Sequence, residues 1–246
     1  MAARWLVPMG VLLMVTAHAP GQGSRGEATS NAILPVGYLV PAASDTQNAR
    51  ANTVPYQPQP GDIILYDNFD KVFHFLFKLV NSSAPTHVAM VVARADGTPA
   101  LLDLTGPHVV TATVKILDVE TRLKSYPGVI MVRRLREPLT AEQSHALTQF
   151  AEAERGKSFA VGRVALLATP FCARTGLRQE WFGRTYPTRQ RWYCSELVFA
   201  AGAAAQLYDA KAVCANATYP RDLAFDETID LSRLYHLPVS WSAASR

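Results

Sequence analysis

The sequence predicts one domain of the α+β class, and three observations support that prediction. Apolar stretches of strand length follow one another between residues 61 and 135, without long helices between them. Two longer helical patterns come later, at about residues 140–155 and 194–208. The 246 residues, 49% hydrophobic and 18% charged, suffice for one well-packed core and show no sign of wholesale disorder. We therefore expect an antiparallel sheet packed against helices.

The first residues have the pattern of a signal peptide. Arg4 precedes an apolar run over residues 5–16, and Ala17-His18-Ala19 has the small-x-small form of a cleavage site. Pro20 would follow the scissile bond directly, where proline is unfavourable. Residues 1–19 are therefore predicted to be a signal peptide or an uncleaved N-terminal anchor. Both alternatives predict an exported protein, periplasmic or secreted, with or without a membrane tether.

Residues 20–60 are rich in Pro, Gly, Ser, Asn and Gln, which is typical of a linker. A short apolar patch over residues 33–40 is the part of it suited to pack on the domain. The composition predicts that the folded domain spans residues 61–240.

The first half of this domain reads as strands with one short helix. Gly61-Asp62 is a turn before an apolar run, and residues 72–80 form an apolar helical stretch. Asp96-Gly97 separates two apolar runs and predicts a hairpin. The expected strands are residues 61–66, 86–93, 100–104, 109–117 and 129–135.

Turn and capping residues delimit the second half. Thr140-Ala141-Glu142-Gln143 is a capping box that opens a helix of about four turns, ending before Gly156. Pro and Gly interrupt residues 157–191. An apolar, Ala-rich helix is expected from Cys194 to about Tyr208, and Tyr219-Pro220-Arg221-Asp222-Leu223 predicts a turn.

Cys194 is the candidate nucleophile because the N-terminal end of a helix stabilises a thiolate. The alternative is a small buried apolar residue at a helix start. His87 is the best candidate base among the histidines, since it begins an apolar strand; otherwise it is a hydrogen-bonded residue at a sheet edge. Asp103, on the return strand, is the candidate group to orient His87; otherwise it faces solvent.

The hairpin register restricts this arrangement. With a two-residue loop at Asp96-Gly97, Asp103 would oppose Met90, whose side chain points away from the face of His87. A bulge or a loop of odd length would place both side chains on one face. We therefore predict one of these two features.

Three cysteines, Cys172, Cys194 and Cys214, leave at least one thiol unpaired in a monomer. A disulfide between Cys172 and Cys214 would leave Cys194 free, but three reduced cysteines fit the sequence equally. The sequence has no Cys-x-x-Cys and no close Cys/His pair, so neither a metal nor another cofactor is predicted. The net charge of +4 is dispersed, and nothing indicates nucleic acid.

Several separated motifs together resemble the circularly permuted papain-like cysteine hydrolases of the NlpC superfamily, the YiiX/YebB-like group. The resemblance implies a permuted papain-like fold with Cys194 as nucleophile, His87 as base and Asp103 as its orienting partner. It also implies an oxyanion hole of backbone N–H groups at the start of the Cys194 helix. Tyr193 either adds a hydroxyl donor to it or packs ahead of the buried helix. The motifs are Gly61-Asp62-Ile63, Thr86-His87-Val88-Ala89, Leu102-Asp103-Leu104-Thr105-Gly106, Gly156-Lys157-Ser158-Phe159, Tyr193-Cys194-Ser195-Glu196-Leu197-Val198 and Tyr219-Pro220-Arg221-Asp222-Leu223.

The residues just before Cys194 are expected to bind substrate, namely Arg191, Trp192 and Tyr193. They end a basic segment interleaved with aromatic residues, which suits an amphiphile or an acidic peptide. The rest of this segment contributes Arg174, Arg178, Arg184 and Arg189 together with Trp181, Phe182 and Tyr186.

Three functions remain open from the sequence. The first is an amide hydrolase acting on cell-wall peptides or on γ-glutamyl or aminoacyl amides. The second is a lipid acyl hydrolase or acyltransferase of the same fold. The third is an inactive envelope-binding module. The expected partners are thus a peptide, peptidoglycan or lipid-derived substrate, with peripheral association to membrane or envelope left open.

Overall fold

The structure is a computed structural model that describes residues 34–40, 53–79, 82–163, 188–227 and 229–244. The predicted signal peptide or anchor over residues 1–19 lies outside the described residues, as does Cys172. Most of the basic segment also lies outside them, including Arg174, Arg178, Trp181, Phe182, Arg184 and Tyr186. No helix of the described part is long and apolar enough to cross a membrane.

One mixed sheet organises the described chain, in the strand order β2-β1-β10-β7-β3-β4-β5-β6-β8-β9. Neighbouring strands are antiparallel except for the short parallel pair β8 and β9. This confirms the α+β class and the mainly antiparallel sheet. The strands are β1 (Tyr38–Val40), β2 (Val54–Pro55), β3 (Ile63–Asp67), β4 (His87–Ala93), β5 (Pro99–Thr105), β6 (Thr113–Asp118), β7 (Val129–Arg133), β8 (Ser158–Phe159), β9 (Arg191–Trp192) and β10 (Val239–Ser242).

Helices accompany the sheet in the described part of the chain. The Thr140 capping box is present: the Thr140 side chain accepts from Gln143 N–H (3.2 Å), and the Gln143 side chain accepts from Thr140 N–H (3.0 Å). The segment predicted as a turn at Tyr219 instead opens a helix, because Pro220 occupies the first helical position, which it suits. The helices are α1 (Lys71–Leu79), α2 (Val119–Ser125), α3 (Ala141–Glu154), α4 (Cys194–Ala204) and α5 (Pro220–Phe225).

The central strands bury apolar side chains on both faces, since alternate residues point to opposite sides. Met90 and Leu102 belong to the core that includes α3 and α4. Val91 and Leu101 belong to a second core, which Leu123 of α2 completes. Covering both faces explains why these strands read as continuous apolar runs rather than as alternating ones.

The β4–β5 hairpin has the odd-length loop that the shared face of His87 and Asp103 requires. Residues 94–98 connect the strands, and Met90 pairs with Leu102. Asp103 therefore lies beside Ala89, on the face that His87 also uses. The prediction of a bulge or an odd-length loop is confirmed.

The domain extends beyond the predicted start at residue 61. The apolar patch expected to pack on the domain does so over residues 34–40, whereas the predicted linker is wrong for residues 53–60. β1 pairs with β2 and with β10, and Leu39 and Tyr56 are buried. The Tyr56 hydroxyl donates to the buried carboxylate of Asp62 (3.1 Å). Strands of two or three residues are too short to show a period in sequence, so composition alone suggested a linker.

A buried arginine ties the C-terminal segments to the sheet. Arg133 of β7 is fully buried and donates to both carboxylate oxygens of Asp226, at 2.8 Å each. The same guanidinium donates to the carbonyls of Leu223 (2.8 Å) and His236 (3.1 Å). This one side chain therefore holds the end of α5 and the approach to β10 in place.

Candidate active site

Cys194 is the first residue of α4, and the extended residue Tyr193 precedes it. The first backbone N–H groups of a helix have no acceptor within the helix, so they and the helix dipole favour negative charge at this position. Cys194 and Cys214 are both free thiols and both half-buried, so the described residues contain no disulfide. Cys172, which one of the two alternatives pairs with Cys214, lies outside the described residues.

The first residue of β4 and the first residue of α4 lie together at the candidate nucleophile. His87, the first residue of β4, lines the same pocket as Cys194, and its interaction with the Cys194 side chain helps to raise the pKa of His87. Its Nε2 donates to Asp103 Oδ1 at 2.6 Å, so the ring nitrogen left for the thiol is Nδ1. The Asp103 side chain is fully buried, whereas the His87 side chain is 23% exposed. The structure thus brings together the three residues that the sequence singled out.

Arg122 is a fourth residue of the candidate site, and the sequence analysis did not identify it. Its Nε donates to Asp103 Oδ2 at 2.8 Å, so both carboxylate oxygens are engaged. The guanidinium also lies over the rings of Tyr66 (5.2 Å) and Tyr126 (5.4 Å). Arg122 belongs to α2, which the sequence analysis did not predict. The available sign was Asp118, whose side chain caps α2 by accepting from Thr121 N–H at 2.8 Å.

These contacts settle the charges of the site. Burial by itself lowers the pKa of His87, but Asp103 and the interaction with Cys194 together outweigh it and raise the pKa to about 10. Burial by itself raises the pKa of Asp103, but His87 and Arg122 hold it below its usual value. His87 is therefore an imidazolium at neutral pH beside an ionised Asp103.

Asp103→Asn should return the pKa of His87 toward its ordinary value, because the carboxylate that raises it is gone. In the wild type, the protonated His87 contributes stability that is fully present below pH 6.5 and lost as the pH rises toward about 10. The variant should lack this loss, and its turnover should fall by about a hundredfold. NMR titration of His87 and urea unfolding between these pH values provide the measurements.

Asp96→Asn is the matched control for this substitution, because Asp96 lies in the exposed loop of the same hairpin. It should leave both the His87 titration and the turnover unchanged. A His87 pKa that stays near 10 in Asp103→Asn would show that Asp103 does not govern the imidazole.

The start of α4 is anchored by hydrogen bonds to the segment before α5. Ser195 Oγ donates to the carbonyl of Thr218 (2.8 Å), and the Tyr193 hydroxyl donates to that of Ala215 (3.0 Å). Tyr193 lines the pocket beside Cys194, as expected for a substrate-binding residue. Its hydroxyl, however, is engaged by Ala215 rather than offered to a reacting oxygen, contrary to the expected oxyanion role.

Trp192, expected to bind substrate, is instead fully buried. Its indole N–H donates to Glu154 at 2.6 Å, and its ring packs edge-on against Phe150 at 6.1 Å between centroids. A substrate cannot reach this side chain, so that expectation is wrong. Arg191 is exposed, but it is not part of the pocket wall at Cys194.

Two arginines neutralise Glu196, the third residue of α4. Arg163 lies 2.8 Å and Arg189 2.5 Å from the same carboxylate oxygen. Burial raises the pKa of Glu196, although both arginines oppose that effect. Glu196 therefore has a structural role at the helix start. Arg189, from the basic segment, is occupied by this contact.

A pocket of about 700 Å³ opens at Cys194 and His87. That volume is in the range of small-molecule sites. Most of the accessible wall is apolar, and the polar groups include Arg122, Tyr126, His87 and Cys194. The apolar wall comes from Leu76 and Phe77 of α1, Leu104 of β5, Val109, Phe159 and Val161.

Side chains suited to bind a metal ion are dispersed in the described part of the chain. Within residues 34–40, 53–79, 82–163, 188–227 and 229–244, no cluster of three or more His, Cys, Asp or Glu side chains is placed to hold a metal ion. The groups that the pocket offers for nucleophilic and acid–base chemistry are the thiol of Cys194 and the imidazole of His87, supported by Asp103.

Comparisons with known proteins add little at this distance. No protein-family model matches the chain, and no curated protein matches it either. Among solved structures, the chain is similar to the metalloprotein yiiX from Escherichia coli O157:H7, described as DUF1105. The match has a TM-score of 0.42 and 25% identity, and it covers 62% of this chain and 69% of that chain. That name coincides with the YiiX-like group that the motifs resemble.

Proposed function

We propose that this protein is a cysteine hydrolase that works through an acyl-enzyme thioester. The observation that carries the proposal is the hydrogen-bonded series from His87 through the buried Asp103 to Arg122, with His87 beside Cys194 at the wall of a pocket. Nucleophile, base and orienting group are the parts that covalent acyl transfer requires. A permuted papain-like fold of the NlpC superfamily is part of the same proposal.

The first half-reaction forms the thioester. The Cys194 thiolate attacks the substrate carbonyl, and the carbonyl oxygen takes up the negative charge of the tetrahedral intermediate. Backbone N–H groups at the start of α4 stabilise that oxygen. When the intermediate collapses, the bond to the leaving group breaks, and the His87 imidazolium gives its proton to the departing amine or alcohol.

The second half-reaction releases the acyl group. Neutral His87 removes a proton from water, which attacks the thioester carbonyl. The carbon–sulfur bond breaks, a carboxylic acid leaves, and the thiolate and imidazolium are restored. Asp103, held by Arg122, keeps the imidazole in one orientation through both halves and stabilises its charged form.

The pocket wall favours the lipid-derived class of substrate over the cell-wall peptides. A muropeptide carries carboxylates and amides, which lose hydration in an apolar pocket unless polar partners replace it. An apolar acyl chain has no such polar groups to dehydrate, and each methylene that leaves water adds favourable binding free energy. We therefore propose that the acyl half of the substrate is an apolar chain attached through an ester or amide bond. Export through residues 1–19 belongs to the same proposal.

A series of p-nitrophenyl esters tests this function. From acetyl to octanoyl to dodecanoyl, kcat/KM should rise about threefold to fourfold per added methylene, corresponding to about 0.8 kcal/mol each, until the chain fills the pocket. The long-chain ester should leave an acyl mass on Cys194 in intact-mass measurements. Ala112→Leu narrows the pocket and should shift the optimum to shorter chains. Rates that do not depend on chain length, together with cleavage of muropeptides, would favour the amidase instead.

A further inference from the structure

The mouth of the pocket is formed by exposed apolar side chains. Leu76, Val109 and Val161 line the pocket and are nevertheless 39%, 38% and 38% exposed. They come from three separate segments: α1, the 3₁₀ turn Val109–Thr111, and the residues after β8. These three side chains are far apart in sequence and line one opening. The fold, rather than local composition, therefore places them together.

Further exposed apolar residues flank these three. Phe75 is 61% exposed and precedes Leu76, and Val110 is 67% exposed and follows Val109. Phe69, also 61% exposed, follows Asn68, another residue of the pocket wall. Isolated exposed apolar residues need no explanation, but three that line one pocket, with three more next to its wall in sequence, indicate a binding surface. We call the set Phe69, Phe75, Leu76, Val109, Val110 and Val161 the apolar rim.

The apolar rim carries positive charge at its helix. Lys71 and Lys78 of α1 are exposed, and neither forms an ion pair with any described residue. An apolar helix face with lysines beside it is the pattern of a helix that lies in the plane of an anionic lipid surface. The net charge of +4 has the same sign.

We propose that the apolar rim docks on an anionic lipid bilayer and that the acyl chain enters the pocket from that surface. The inference rests on the proposed function in one respect, since an apolar acyl substrate is concentrated in a bilayer. A protein bound permanently to the rim would close the opening over Cys194. A lipid surface in the same place delivers the substrate to it.

Brominated vesicles test the docking, since bromine in the acyl chains quenches a tryptophan that enters the hydrocarbon. The protein is the full chain with Cys194→Ala, so that no lipid is consumed, and vesicles contain phosphatidylglycerol and brominated phosphatidylcholine. Tryptophan introduced by Phe75→Trp, and independently by Val110→Trp, should be quenched at least about twofold more than tryptophan introduced by Leu237→Trp. The four natural tryptophans give the same background in all three variants.

Leu237 is the matched control because it is 72% exposed and lies away from the rim. Its neighbour His236 is hydrogen-bonded to Arg134, just after β7, whereas Asp67, near Phe69 of the rim, pairs with Val129 at the other end of that strand. The double substitution Lys71→Glu and Lys78→Glu should reduce the quenching of the tryptophan at position 75. Added salt should also reduce this quenching when Lys71 and Lys78 are both present. Melting curves identify any variant that fails to fold. If one of the two rim variants does not fold, the other still tests the docking.

Equal quenching at positions 75, 110 and 237 would overturn the docking proposal. A concentration-dependent dimer that shields the tryptophan of the Phe75→Trp variant without lipid would overturn it too, by assigning the rim to a second copy of the chain. Because Cys194→Ala performs no chemistry, docking can hold even if thioester formation fails. Conversely, esterase activity on soluble esters can hold when docking fails.

Discussion

Cys194→Ala should abolish turnover, with a loss of at least about a thousandfold, because the thioester forms on the Cys194 sulfur. The fold should remain, since Cys194 is half-buried at a helix start and alanine keeps the helix geometry. Ester hydrolysis, followed together with thermal unfolding, provides the measurement. Full activity in Cys194→Ala would refute the proposed mechanism.

Cys214→Ala is the control for this experiment, because Cys214 is also a free, half-buried thiol. It should retain activity. Dilute iodoacetamide at neutral pH should inactivate the wild type and label Cys194 before Cys214, since Cys194 begins a helix and lines the pocket beside His87. A Cys194 that resists alkylation would favour the inactive envelope-binding module over the enzyme.

Arg133→Met should destabilise the domain by roughly 3–5 kcal/mol, since it removes one partner of a buried ion pair. Methionine fills similar space but leaves the Asp226 carboxylate and the carbonyls of Leu223 and His236 without their donor. The free energy of unfolding, from urea titration at neutral pH, provides the measurement.

Arg155→Met makes the same chemical change at an exposed ion pair and serves as the control. Arg155 and Glu152 are 58% and 49% exposed, so their pairing contributes at most about 1 kcal/mol. Equal losses in the two variants would show that the burial of Arg133 is not what makes its contacts important.

Much of the fold was predictable because several of its helices and strands are indicated by patterns of neighbouring residues. The Thr140 capping box and the apolar runs of β3, β4 and β5 depend only on neighbouring residues, and the structure contains all of them. The register argument for His87 and Asp103 also succeeded, because side chains alternate strictly along a strand. The loop over residues 94–98 has the parity that this argument required.

The failures occurred where local pattern and tertiary contact diverge. Trp192 next to a nucleophile suggests a binding residue, yet Glu154 and Phe150, remote in sequence, draw it into the core. β1 was hidden in a stretch of linker composition, since its partner β10 lies far away at the other end of the chain. Arg122 has no local feature that marks it as the partner of Asp103.

By itself, the sequence determined the strands β3, β4 and β5, the capped start of α3 and the candidate residues Cys194, His87 and Asp103. Helix and strand periods and capping residues are properties of adjacent positions, which a sequence displays directly. Only the tertiary structure decided that Arg122 completes the hydrogen-bonded series and that the pocket wall is apolar. It also decided that an apolar rim surrounds the opening. These features depend on distances between residues far apart in the chain, and packing rather than local preference sets those distances.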